Sequence, residues 1–203
     1  MNETPSSDHE LLERIAAGDE NAFTTFYRRY QNRIYRFALQ MSGRTNTAEE
    51  VTQEVFMAII QQTGRWNPER GGVPAYLYGI ARNHVLRCLE RDRRYVAIDF
   101  GERESESVDE DRSRTIDPLW DLTREERGET VRRAVSTLPP IYREVIVLCE
   151  LQELSYQEAA AAAGCAVGTI RSRLHRAREL LLKKLSREPA ARSVLVSSFP
   201  GRP

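Results

Sequence analysis

Large apolar side chains recur every three or four positions along most of this chain, and no stretch alternates as a half-buried strand does. Between residues 11 and 41, Phe23, Phe26, Tyr27, Tyr30, Ile34, Phe37 and Ala38 keep the helical step. Ser42-Gly43 stops it, either as one helix or as a pair broken near Gly18. The next run, TAEEVTQEVFMAII, opens on Thr47 and Glu50. Their T-x-x-E spacing is that of a capping box, so a helix is predicted to start there. Val51, Val55, Ala58 and Ile59 make its buried stripe; Gly64 ends it and NPERGG is a loop. A third pattern runs from about Pro74, tolerated in a first turn, to Arg94. Leu77, Ile80, Ala81, Val85, Cys88 and Leu89 form its apolar side, while Arg82, Asn83, Arg87 and Arg91 lie off it.

Periodicity then lapses. VAIDFGERESESVDEDRSRTID carries few large apolar residues and reads as an extended or disordered linker. Helical spacing returns from about residue 122. Val131, Ala134, Val135 and Leu138 form one helix, closed by Pro139-Pro140, and Ile141, Tyr142, Val145, Ile146, Leu148 and Cys149 form the next. Ser155 and Glu158 repeat the capping-box spacing ahead of a short helix through Ala163, which Gly164 breaks. The last helix begins near Gly168 and Thr169, with Ile170, Leu174, Ala177, Leu181 and Leu185 on one stripe. The tail SREPAARSVLVSSFPGRP has no helical period.

Composition narrows the class. A chain of 203 residues, 40% hydrophobic and 30% charged, suits two small helical units better than one large globule. No apolar run approaches the ~18 residues that span a bilayer. The polar start MNETPSSDHE is neither a signal nor a transit peptide, so a cytoplasmic location without membrane insertion is expected. Cys88, Cys149 and Cys165 are too scattered for a disulfide framework. Neither they nor His9, His84 and His175 show metal-ligand spacing, so no metal and no cofactor is expected. The net charge is zero but segregated. Residues 11–95 hold thirteen basic against nine acidic side chains, residues 96–121 nine acidic against three basic, and residues 167–187 seven basic against Glu179 alone. Segregation of this kind bears on partners rather than on fold.

The stretch GCAVGTIRSRLHRAR sets Arg171, Arg173, Arg176 and Arg178 among the apolar Ile170, Leu174 and Ala177. A capped short helix, a glycine turn and a longer basic helix make a helix-turn-helix, whose second helix can enter the DNA major groove. Such a helix needs an apolar face to seat it and arginines opposite for phosphates and guanine edges. Arg171, Ser172, His175 and Arg176 fall on the outer faces of its first turns and are the candidate DNA contacts. His175 is a candidate phosphate or base contact, not a metal ligand.

LPPIYREVIVLCELQELSYQEAAAAAGCAVGTIRSRLHRARELLLKKL resembles region 4 of the extracytoplasmic-function (ECF) sigma factors of bacterial RNA polymerase. FTTFYRRYQNRIYRFALQMSGRTNTAEEVTQEVFMAII and WNPERGGVPAYLYGIARNHVLRCLERDRR resemble region 2 of the same family. The resemblance implies an all-α fold of two small helical domains joined by an acidic flexible linker. Region 2 would be a bundle over residues 11–95, the linker 96–128, region 4 a helix-turn-helix domain over 129–186, and 187–203 a loose tail.

The same resemblance implies a dissociable subunit that is no enzyme. It would bind core RNA polymerase, recognise the minus-35 and minus-10 promoter elements and initiate transcription of specific genes. Arg171, Ser172, His175 and Arg176 would read the minus-35 element. Asn83 sits where the family places a base-contacting asparagine, beside a pocket that takes a flipped base of the non-template strand. Arg82, Arg87 and Tyr76 complete the minus-10 set, and Arg91, Arg93 and Arg94 could guide the displaced strand. Tyr76 stands where the family usually carries tryptophan, and Val73 where it usually carries an aromatic residue; a tyrosine can still stack. AEEVTQEVF resembles the polymerase-docking helix, with Glu50, Gln53 and Glu54 as its exposed contacts. The partners implied are core RNA polymerase, promoter DNA and an anti-sigma factor. The acidic linker would be drawn to basic polymerase channels that otherwise hold nucleic acid.

Two further classes remain open from the residues alone. A stand-alone DNA-binding regulator accounts for residues 164–178 but leaves Arg82, Arg87 and AEEVTQEVF without a role. A metal-dependent hydrolase lacks support, because the chain has no Gly-rich phosphate loop, no H-E-x-x-H and no nucleophile elbow.

Overall fold

The computed structural model describes residues 7–61, 66–68, 71–99 and 124–186. Residues 100–123 of the expected acidic linker, the tail 187–203, and Glu69 and Arg70 of the NPERGG loop lie outside the described residues, as do the side chains of Arg93 and Arg94. The elements are helices: α1 (Asp8–Ala16), α2 (Glu20–Ser42), α3 (Thr45–Gln61), α4 (Val73–Asp99), α5 (Arg124–Ser136), α6 (Pro140–Ile146), α7 (Tyr156–Ala163) and α8 (Val167–Leu185). A π-helical segment, Val147–Leu151, continues α6. Among the described residues no helix is long and apolar enough to cross a membrane.

Helices α1 to α4 form the N-terminal bundle. Ser7 caps α1 by accepting from the Glu10 amide at 3.2 Å, and Asp19 caps α2 by accepting from the amides of Asn21 and Ala22. The break between them falls at Gly18, whose φ of +86° suits a residue without a β-carbon. Asp8 accepts from both the Tyr30 hydroxyl and Arg29, which straps α1 across α2. Phe26, Ile34 and Phe37 on α2 meet Val51, Val55 and Ile59 on α3 and Leu77, Ala81 and Val85 on α4 in a core closed to solvent. Each of the large side chains contributes about 1.5–3 kcal/mol by burial.

The sequence reading needs two corrections here. Helices α4 and α5 run into both ends of the stretch 96–128 expected as an extended or disordered linker, α4 to Asp99 and α5 from Arg124. Helix α3 begins at Thr45, two residues before the expected box. Thr47 is buried within the first turn, and the Glu50 carboxylate accepts a two-point hydrogen bond from Arg91 of α4 at 3.0 and 3.1 Å. A guanidinium offers two charge-assisted bonds where an amide offers one, so the tertiary partner wins. Phe56 is buried on this helix, whereas Ala58 is only half-buried.

Helices α5 to α8 form the C-terminal unit. Pro140 occupies the first turn of α6, where its missing N–H costs nothing. The chain then widens into the π turn, and the Gln152 amide donates to the Val147 carbonyl, five residues back, at 2.9 Å. Glu153 leaves it in the left-handed region, at φ 59°. Ser155 and Glu158 form the expected capping box, with the Glu158 amide on the Ser155 hydroxyl at 3.2 Å and the Ser155 amide on the Glu158 carboxylate at 2.9 Å. Gly164 closes α7 at φ +64°. Ile170, Leu174, Ala177, Leu181 and Leu185 are all buried along α8, as their spacing predicts. The two units also pack on each other, with α7 lying along α4 and the buried side chains of both forming one continuous cluster.

Candidate nucleic-acid interface

Helix α8 is seated by its apolar stripe, so its opposite side is free for a partner. Arg171, Ser172, His175 and Arg176 are all exposed there and share one end of the helix. The Arg171 guanidinium lies over the Tyr156 ring at 5.9 Å, a cation–π contact that anchors it to the start of α7. The Ser172 hydroxyl donates to the Thr169 carbonyl at 3.1 Å. Arg176 pairs with Glu179 at 2.7 Å, and this guanidinium holds the Glu179 carboxyl below its ordinary range. His175 lies 3.4 Å from the same carboxylate. Arg178, which belongs to the same basic run, turns the other way and pairs with Glu150 of the π segment. Arg173 is half-buried. Two of the four arginines of this run therefore serve the outer face.

On α4 the candidate set divides. Asn83 and Arg87 are exposed, and the Arg87 Nε donates to the Asn83 carbonyl at 3.3 Å, one helical turn back. Arg82 is three-quarters buried and forms an ion pair with Glu144 of α6, whose side chain is 4% exposed. Tyr76 is half-buried and packs on the core rather than standing free, and Val73 beside it is buried. The loop before α4 keeps Trp66 edge-on to His9, with ring centroids 4.8 Å apart. Gly71 has a φ of +131° in that loop, a value side chains avoid.

Gln53 and Glu54 are exposed on α3, but Glu50 is engaged by Arg91. That pairing is the first cause that holds the Glu50 carboxyl below its usual range. Cys88, Cys149 and Cys165 are free thiols, and among the described residues no group of three His, Cys, Asp or Glu is disposed to hold a metal ion.

Sequence reasoning missed the contacts that join the units: Glu144, Arg143, Gln152 and Tyr78. One signal was legible. A charged Glu144 directly before the apolar run VIVL sits at a position that periodicity buries, and a buried carboxylate needs a partner.

Comparison with known proteins decides what this arrangement belongs to. A family model described as "Sigma-70 region 2" matches residues 26–95, and one described as "Sigma-70, region 4" matches residues 128–181. The RNA polymerase sigma-H factor of Pseudomonas aeruginosa is 31% identical over 185 residues, covering 90% of this chain and 95% of that protein. The chain belongs to the ECF sigma factors of bacterial RNA polymerase. The ECF RNA polymerase sigma factor SigE of Mycolicibacterium smegmatis is 32% identical over 177 residues, which are 85% of this chain and 66% of that protein. Among solved structures, the sigma factor RpoE from Bartonella quintana, in complex with the anti-sigma factor NepR, aligns with a TM-score of 0.61. It is 27% identical and covers 81% of this chain and 96% of that one. As a sigma factor the chain binds core RNA polymerase and directs initiation at specific promoters. The α8 face then meets a chemical need, since a helix entering a phosphate-walled groove requires cations outside and an apolar seat beneath.

Proposed function

We propose the following division of labour within this sigma factor. Residues 129–186 read the minus-35 element, with Arg171, Ser172, His175 and Arg176 as the contacts. Residues 11–95 dock on the polymerase through Glu50, Gln53 and Glu54, and read and melt the minus-10 element with Asn83, Arg82, Arg87 and Tyr76. The chain does no chemistry of its own and acts beside the polymerase in the cytoplasm. An anti-sigma factor restrains it, a reading supported by the Bartonella quintana relative, whose structure holds one.

One observation carries the minus-35 assignment. Ile170, Leu174 and Ala177 are fully buried, so the intervening positions 171, 172, 175 and 176 must face away from the domain, and all four are exposed. Arginine matches guanine edges bidentately, and serine and histidine can bond phosphate or base. For the minus-10 strand, Asn83 offers both a donor and an acceptor to an extruded base, and Arg87 beside it offers charge to the backbone.

The test is transcription in vitro by core polymerase with this chain on a library of promoters. Start sites confined to templates sharing two sequence elements are expected. Transcription independent of either element would overturn the proposal. An Asn83→Ala chain should lose discrimination at one minus-10 position while it keeps minus-35 selection.

A further inference from the structure

We infer that His9 of α1 is a positioning residue for minus-10 selectivity: its ring holds Trp66, and through Trp66 the loop that delivers the chain into α4. This rests on the minus-10 assignment above and adds to it a determinant on a helix that touches neither DNA nor polymerase in that assignment.

The loop has a permissive backbone, since Gly71 and Gly72 restrict it least of all residues. The Gly71 amide donates to the Pro68 carbonyl at 3.2 Å, and the Tyr76 amide donates to the Gly72 carbonyl at 3.2 Å. The second bond couples Tyr76, a proposed minus-10 contact in the first turn of α4, directly to the loop. Trp66 is the one large apolar side chain among the described loop residues, and it packs on the core of the bundle. Its ring meets the His9 ring edge-on, with centroids 4.8 Å apart and planes at 84°. Aromatic rings favour this T-shaped arrangement because the positive edge of one faces the negative face of the other. The indole Nε1 is sealed from solvent and, among the described residues, has no hydrogen-bond partner. A sealed donor costs free energy while it stays unpaired. Packing therefore keeps the indole where it is. A smaller side chain at position 9 would let it turn its N–H toward water and take the loop with it.

An anchor serves only if it is itself fixed, and α1 is pinned at both ends. Asp8 accepts from Tyr30 and Arg29 of α2, and Arg14 donates to Asp19 through Nε at 2.9 Å and Nη2 at 2.7 Å. Leu11, Leu12 and Ile15 bury the inner side of the helix between those ends. His9 lies beside Asp8 in the first turn, with its Nδ1 3.5 Å from Glu13 Oε1 and its ring against Trp66. The His9 side chain is 50% exposed, so it is not a core residue whose loss would unfold the bundle. Gly71 rests against Ala161 of α7, but His9 and Trp66 both belong to the N-terminal bundle. The anchor is therefore independent of where the C-terminal unit stands.

The test is transcription in vitro by core polymerase on templates that carry each base in turn at every minus-10 position. The parent chain is compared with His9→Ala, His9→Phe and Trp66→Leu chains. Alanine favours helix formation, so α1 keeps its fold, which melting followed by circular dichroism checks. His9→Ala should lower discrimination at one minus-10 position about two- to tenfold, the range of an aromatic pair, while minus-35 selection stays as in the parent. Trp66→Leu should do the same, and combining it with His9→Ala should add little, because both remove one contact. His9→Phe keeps a ring edge for Trp66 and should restore the parent's preference. A merely structural role would lower the melting temperature and the yield on every template alike, with base preference unmoved. That result, or a phenylalanine that fails to restore what alanine lost, would overturn the inference. If Asn83→Ala loses discrimination while His9→Ala keeps it, the inference fails and the minus-10 assignment stands. A parent chain without base preference at minus-10 would sink both.

Discussion

Glu153 is the one described residue other than glycine with a positive φ, at 59°. A β-carbon in that region costs about 1–2 kcal/mol per residue. Glu153 is exposed and forms no capping bond, so nothing visible offsets the strain. Glu153→Gly should therefore raise stability by about 0.5–1 kcal/mol, read as a higher midpoint in urea. Arg176 makes a sharper prediction about recognition. Arg176→Ala should weaken minus-35 binding by roughly 1–3 kcal/mol on the preferred sequence and less on others if the side chain reaches a base. Equal losses on every sequence would mark it as a phosphate contact. His84 gives a pH dependence. Burial first, then Arg87, holds its imidazole below the ordinary value. The unfolded chain thus takes up that proton more readily than the folded one. The corresponding stability is complete above about pH 6.5 and is lost as pH falls below that value. Melting temperatures between pH 7 and 5 should decline, and His84→Gln should flatten that part of the curve.

At the scale of the helix, local chemistry and tertiary partners compete. Ser155 and Glu158 satisfy each other's backbone amides, and among the described residues no other group claims them, so the box forms where its spacing put it. Ser155→Ala should cost about 1 kcal/mol and fray the start of α7, visible as faster amide exchange there. Thr47 and Glu50 had the same spacing, yet Arg91 took the carboxylate and α3 began earlier. Spacing reveals what a local motif could do, not what a distant arginine will do to it. Helix existence, the buried stripe of α8 and the exposure of positions 171, 172, 175 and 176 were legible for a related reason: one period fixes both faces at once. The π turn was not legible, because one added residue within an apolar run leaves its periodicity almost untouched.

Across the whole molecule, the division into two helical units was legible from the lapse in periodicity between them, and the packing of one unit on the other was not. No stripe announces an interface made of Gly79, Ala162 and Ala161, whose side chains are small enough to belong to any surface. Charge was similarly ambiguous: Arg82 reads as a free cation in the sequence and is paired in the structure. The shared core has a thermodynamic consequence. The free chain should melt in one calorimetric transition, with both units unfolding together, and Glu144→Gln should separate it into two. Two transitions in the parent would show that the units are independent.

The π segment at Val147–Leu151 also fixes rotational phase. A helix advances about 100° per residue, so each residue there decides which way everything downstream is turned. Removing one would let α6 run on as an ordinary helix and leave α7 and α8 with every side chain they need. Gln152 would nonetheless swing away from Gln40 and Tyr78. The length of this five-residue stretch, more than its composition, sets the bearing of α8 relative to the bundle.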